Sequence, residues 1–179
     1  MFIALLRAVN VGGTTKVPMT ELRQVLDELG LRDVRSLLQT GNLVFSNGAG
    51  TNAAELEWRL EGAIANRFGL RTDVMVRTAQ EWRRIVVRNP FPDEAERDPS
   101  HLVVMCLKDA PNASHVRELQ AAITGPELVR AGERELYITY PMGIGRSRLT
   151  NALIEARLAT RGTARNWNTV LRLGELVAE

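Results

Sequence analysis

The sequence predicts an α+β protein made of two tandem ferredoxin-like (β-α-β-β-α-β) halves with antiparallel sheets, each followed by an extra helix. Three observations predict it. From Phe2 to Arg77, apolar runs of strand length and apolar stripes at helical spacing alternate in the order β-α-β-β-α-β. The same order recurs from Leu102. The pattern T-A-x-x-W then follows the fourth strand of each half, at Thr78–Trp82 and at Thr163–Trp167, and reads as an internal duplication. The expected division is residues 1–90 for the first half and its helix, 91–100 for a linker, and 101–179 for the second half and its C-terminal helix.

Taken in order, Phe2 to Val9 reads as a buried strand. Pro18 suits the first turn of a helix, where its missing N–H costs little. Leu22, Val25, Leu26 and Leu29 form one apolar stripe, which Gly30 ends. Val34 to Gln39 and Asn42 to Ser46 are short strands around the tight-turn signal Thr40-Gly41-Asn42. Asn52 followed by Glu55 resembles a capping box; Leu56, Leu60, Ile64 and Phe68 make the next stripe, stopped by Gly69, and Val74 to Arg77 is the fourth strand. The linker holds Pro90, Pro92 and Pro99 among acids.

In the second half, Leu102 to Leu107 is a strand, and Val116, Leu119 and Ile123 mark a helix closed by Gly125-Pro126. Leu128 to Ala131 and Glu135 to Tyr140 form a hairpin around Gly132. Leu149, Leu153, Ile154 and Leu158 mark another helix, and a short strand lies near Thr163. Both T-A-x-x-W segments read as a threonine cap followed by a tryptophan packed on the sheet. This topology sets two juxtapositions. It places Asn10–Lys16 beside Gln39–Asn42 at one end of the first sheet, and the loop Pro141–Thr150 and the junction Thr163–Asn166 at a shared end, the other one, of the second.

At 179 residues the chain can bury about 70% of its unfolded surface and needs no covalent staple. A net charge of +2 makes the pI of 9.1 a weak signal. Between Pro141 and Arg172, however, Glu155 is the only acid among Arg146, Arg148, Arg157, Arg161, Arg165 and Arg172, a segment that meets either a polyanion or solvent. Arginine dominates the cations; Lys16 and Lys108 are the only lysines. One cysteine, Cys106, allows no intrachain disulfide and fits a reducing cytoplasm. The N-terminus is too short and too soon charged for a signal peptide, and no segment reaches the ~20 apolar residues of a membrane span. A cytoplasmic location with no membrane partner is expected.

Two segments carry the chemistry. Asn10-Val11-Gly12-Gly13-Thr14-Thr15-Lys16 and Gly143-Ile144-Gly145-Arg146-Ser147-Arg148 each put glycines, a hydroxyl and a cation before a helical pattern. Free amides, a helix N-terminus and a positive charge make an anion site. The first lacks Walker A spacing, and it serves equally as a plain strand-to-helix turn. In the second, Ser147 is expected to cap the helix while Arg146 and Arg148 offer planar donor forks; the alternative is a cap flanked by solvated arginines. Gln39 and Asn42 offer polar groups beside the first loop, although Gly41-Asn42 also suits a turn. Arg165-Asn166-Trp167-Asn168-Thr169 joins a ring to several donors and suits a nucleobase or a single strand, or else is a core tryptophan with polar neighbours. His101, His115 and Cys106 lack ligand spacing, so no metal is expected. No cofactor motif and no Ser-His-Asp grouping stands out in the order of residues.

The stretches Leu5–Gly13, Lys16–Met19, Leu38–Phe45, Gly143–Ser147 and Arg165–Thr169 together resemble the uncharacterised bacterial domain-of-unknown-function 1697 family. Ala8 stands where that family usually has glycine, and Thr14 where it often has lysine. The resemblance implies a two-part α+β fold and no known activity, cofactor or catalytic residue. From the residues themselves, the expected ligand-binding set is Asn10, Gly12, Gly13, Lys16, Gln39, Asn42, Gly145, Arg146, Ser147, Arg148, Arg165, Asn166 and Asn168, and the expected partner is a phosphorylated or nucleotide-like small molecule or nucleic acid. The alternatives are an enzyme acting on such a ligand and a protein-interaction module.

Overall fold

The computed structural model describes residues 1–10, 16–48 and 50–178. The described residues form two compact units: Met1–Arg83 with Leu173–Glu179, and Arg84–Arg172.

The first unit holds β1 (Phe2–Leu6), α1 (Met19–Glu28), β2 (Arg32–Leu37), β3 (Asn42–Ser46), α2 (Ala53–Phe68) and β4 (Val74–Thr78), followed by α3 (Ala79–Val87). Its antiparallel sheet has the order β2-β3-β1-β4, with Ile3 opposite Val44 and Arg77. Ala4 and Leu6 face the core with Leu22, Leu26, Leu56, Leu60 and Ile64, whereas Ile3 and Leu5 on the opposite face are also buried. Burial on both faces explains why β1 reads as a continuous apolar run rather than an alternating one. Asn52 caps α2 through Glu55 N, and Gly69 ends it.

Helix α2 also protects the sheet edge. Glu61 Oε1 accepts from Val74 N, and Glu57 Oε1 accepts from Val76 N, both at 2.9 Å. These carboxylates occupy amides of edge strand β4 that would otherwise template pairing with another chain. Glu57 lies 3.8 Å from Arg77 Nη1, with both side chains buried.

The second unit carries α4 (Pro92–Arg97), β5 (Leu102–Leu107), α5 (Ala113–Ala122), β6 (Leu128–Ala131), β7 (Glu135–Thr139), α6 (Asn151–Leu158) and β8 (Gly162–Asn166); α7 (Trp167–Ala178) follows and ends among the residues grouped with the first unit. The sheet order β6-β7-β5-β8 repeats that of the first unit. Val103, Met105, Leu107, Leu119, Ile138, Ile154 and Leu158 build its core. Glu155 Oε1 accepts from Gly162 N at 3.0 Å, as Glu61 serves Val74.

Several boundaries differ from expectation. The first strand stops at Leu6, because Ala8 and Asn10 take positive φ and turn the chain. The second strand starts early and is irregular, with Asp33 at φ +55 and a register shift between Arg32 and Arg35. Pro18 sits at the N-cap of α1 rather than inside its first turn. The segment read as a linker contains α4.

The T-A-x-x-W segments are not equivalent in space. Thr78 ends β4 and caps α3 through Glu81 N, with buried Trp82 four residues on. Thr163 instead lies within β8, and Trp167 is the first residue of α7. The position that corresponds to Thr78 is Asn166, whose Oδ1 accepts from Thr169 N at 3.1 Å. One residue before each cap stands an arginine, Arg77 or Arg165, whose Nη1 donates 2.8 Å to the carbonyl of the preceding residue.

Candidate functional site

In the first unit the two expected neighbours meet. Asn10 Nδ2 donates to Val17 O at 3.0 Å and to Gln39 O at 2.6 Å, and its Oδ1 accepts from Val17 N at 2.8 Å. Those bonds commit the amide of Asn10 to holding the loop. Asn42 is fully buried, with Nδ2 donating to Leu37 O at 2.9 Å and Thr40 Oγ1 at 3.1 Å, so it shapes the β2–β3 turn. Gln39 and Lys16 are exposed, and Lys16 has no ion-pair partner among the described residues. Gly12 and Gly13 lie outside the described residues.

In the second unit, β7 and β8 both end beside the start of β5, one on each side of it, with Thr139 opposite Leu102 and Asn166 opposite Val103. The loop Pro141–Thr150 and the junction Thr163–Asn166 therefore share one end of the sheet, with β5 between β7 and β8. Arg165 turns back on its own strand, with Nη1 donating 2.8 Å to Thr163 Oγ1 and to Ala164 O. Burial lowers its guanidinium to about 10. Asn166 is used as the cap of α7, Trp167 is buried, and Asn168 is exposed.

The loop after β7 forms a different kind of site. Gly143, at φ +82, leads into a 3₁₀ turn over Ile144–Arg146, closed by Arg146 N to Gly143 O at 3.2 Å and Ser147 N to Ile144 O at 3.3 Å. Ser147 does not cap α6. Thr150 does, accepting from Leu153 N at 3.2 Å, because the 3₁₀ turn delays the helix. The Ser147 hydroxyl instead donates to Glu127 Oε1 and accepts from Leu149 N at 3.0 Å.

This pairing ties the loop to the segment between α5 and β6 and frames a hollow of about 380 Å³. Leu119, Ile123, Leu149 and Leu153 supply apolar wall; Met142, 62% exposed, stands at its side. Arg146, Arg148 and Glu127 supply its charges. Both arginines are exposed, and neither has an ion-pair partner among the described residues. The amides of Ile144, Gly145 and Arg148 likewise donate to nothing among the described residues. Close by, the Tyr140 hydroxyl donates to Leu149 O at 3.0 Å; burial first, then the charge of Glu127, pushes its phenol up to about 12.

Glu127 was not legible as a site residue from sequence spacing; its only signal is the Gly125-Pro126 that precedes it. A second missed feature is Asp98 with His101. His101 Nδ1 lies 2.6 Å from Asp98 Oδ2, and Ser100 Oγ donates to Asp98 Oδ1 at 2.7 Å. The Ser100 hydroxyl first, and His101 second, hold the Asp98 carboxyl below its usual range. Among the described residues no group of His, Cys, Asp and Glu is arranged to hold a metal ion, and no helix is long and apolar enough to cross a membrane.

Residues 1–137 match the sequence profile of a family described as "Protein of unknown function (DUF1697)". The chain belongs to this family. The match takes in the first loop, the β2–β3 turn and Glu127, and stops before Gly143–Arg148 and Arg165–Thr169. A conserved bacterial protein of Streptococcus pneumoniae, SP0830, has a similar solved structure, with a TM-score of 0.77 at 22% identity, covering 98% of this chain and 97% of that one. At that identity the likeness concerns the fold. No curated protein matches the sequence.

Proposed function

We propose that this member of the family binds a small anionic ligand, phosphate-bearing or nucleotide-like, in the hollow beside the β7–α6 loop. The observation that carries the reading is the pair Arg146 and Arg148, which line an apolar-walled hollow without ion-pair partners among the described residues. Guanidinium forks match phosphate and carboxylate oxygens two at a time. The amides of Ile144, Gly145 and Arg148 add neutral donors of the kind that cradle anions. The volume of about 380 Å³ falls within the range of ~300–1,000 Å³ usual for small-molecule sites. Ligand at a hundred times its dissociation constant adds about 2.7 kcal/mol. Melting curves with nucleotides, phosphosugars and short oligonucleotides therefore test the reading: stabilisation lost in Arg148→Ala supports it, and curves that stay flat across the set refute it. Binding to nucleic acid would in addition weaken steeply with salt.

A second reading, an enzyme acting on that ligand, is favoured by the Asp98–His101 pair. The ring Nε2 of His101 faces Gly143, where a Cβ would lie 3.4 Å from it, at the start of the turn that carries Arg146. A carboxylate on one ring nitrogen fixes the tautomer and frees the other for proton transfer. Turnover that His101→Gln abolishes while ligand binding persists would support this reading; unchanged turnover would end it.

A further inference from the structure

We infer that the hollow selects a guanine nucleotide, with Glu127 reading the base while Arg146 and Arg148 hold the phosphate. The inference rests on the ligand-binding reading above and deepens it. Glu127 is 9% exposed and lines the same hollow as the two arginines. A nearly buried carboxylate is costly to keep unless donors face it. Ser147 satisfies one acceptor position on Oε1, and Oε2 has no partner among the described residues. A carboxylate offers about four lone-pair positions, so both oxygens retain room for a ligand's N–H groups.

The fold makes space for this carboxylate. A Cβ on Gly125 would fall 2.1 Å from Glu127 Oε2 and 3.0 Å from its Cδ. Gly125 lies beyond the end of α5, which stops at Ala122 rather than at Gly125-Pro126, and it leaves the place in which the carboxylate lies.

Base chemistry narrows the ligand. A carboxylate has only acceptors, so it favours a planar edge that presents two adjacent donors. Guanine does so through N1–H and its 2-amino group. Adenine, cytosine and uracil each set an acceptor beside their donor on the corresponding edge, and a carboxylate repels it. The wall of Leu119, Ile123, Leu149 and Leu153 suits the faces of a flat base, and the arginines of the same lining suit a phosphate.

Calorimetric titration of the full chain with GMP, IMP, AMP, UMP and inorganic pyrophosphate tests the inference. GMP is expected to bind about tenfold or more tighter than AMP and UMP, the worth of one charge-assisted hydrogen bond. IMP, which keeps N1–H and lacks the 2-amino group, falls between them. Glu127→Gln abolishes the preference for GMP and shifts it toward AMP, since an amide pairs a donor with an acceptor, while pyrophosphate binding persists. Gly125→Ala, which displaces the carboxylate without removing it, also erases the preference. Equal affinity for GMP and AMP in the natural chain, or a guanine preference that survives both substitutions, overturns the inference. If all nucleotides and pyrophosphate bind alike through Arg148, anion binding stands and guanine recognition falls. If neither nucleotides nor pyrophosphate bind, both fall.

Discussion

Replacing Glu57 by glutamine removes one charge from a buried pair while keeping the side chain's volume. Glu57 is 3% exposed and Arg77 2%, and Arg77 Nη1 lies 3.8 Å from Glu57 Oε1. The same Oε1 accepts from Val76 N at 2.9 Å. Glutamine keeps the volume and an oxygen for that amide, so the substitution acts on the charge. A buried ion that loses its counterion typically costs about 3–5 kcal/mol. For a chain of this size each kcal/mol moves the melting temperature by about 2–4 °C, so Glu57→Gln should melt roughly 6–20 °C below the natural chain. The double variant Glu57→Gln, Arg77→Met removes the buried cation as well and should recover most of the loss. Urea titration and thermal scans of both variants provide the assay. A single variant within about 1 kcal/mol of the natural chain, or a double variant no better than the single, would refute the reasoning. In the second unit Asn151, four residues before Glu155, stands where Glu57 stands relative to Glu61, so that position carries no carboxylate there.

Two further predictions concern stability. Gly41 has φ +71, and a Cβ there would lie 2.7 Å from Leu6 Cβ, so Gly41→Ala combines left-handed strain with overpacking; a loss of about 2–4 kcal/mol in urea titration is expected, and a loss below 1 kcal/mol would show that the turn relaxes. Tyr140, held neutral by burial and by Glu127, has its phenol raised from 10.0 to about 12; because the folded chain holds this proton more tightly than the unfolded one, its contribution is whole below pH 10.0 and disappears as pH rises through about 12. Tyr140→Phe should cost about 1 kcal/mol near neutral pH through the lost bond to Leu149 O, and should lose less stability than the natural chain across that alkaline window; parallel losses would contradict the assignment.

Most of the fold was legible because most of its strands, β2 and β8 excepted, are short apolar runs with turn or cap residues at their ends. Leu102–Leu107 and Asn42–Ser46 have the limits their residues suggest, and Asn52 and Gly69 bracket α2 as their chemistry requires. The departures come from backbone conformations that apolar periodicity does not encode: positive φ at Ala8, Asn10 and Asp33, and the 3₁₀ turn that passes the cap of α6 from Ser147 to Thr150. The T-A-x-x-W match misled for a related reason, since three shared letters in five positions place one tryptophan inside a helix and the other at a helix start.

The site was half legible. Glycines and arginines between Gly143 and Arg148 single out, by residue type alone, the loop proposed to bind an anion. The opposite wall was not, because nothing local links Ser147 to Glu127, twenty positions earlier, until the sheet brings β6 and β7 together. Polar residues that looked equally suited, Asn10, Asn42 and Asn166, spend their amides on a loop, a turn and a cap. A side chain's capacity to hydrogen-bond is visible in sequence; whether the backbone already uses it is not.

The central claim is that the hollow beside the β7–α6 loop binds an anion. The most direct measurement is an amide ¹H–¹⁵N titration of the isotopically labelled chain with pyrophosphate and with GMP. Saturable shifts are expected at Ile144, Gly145 and Arg148, and they vanish in the double variant Arg146→Ala, Arg148→Ala. Shifts confined to other parts of the chain, or none at millimolar ligand, would contradict it.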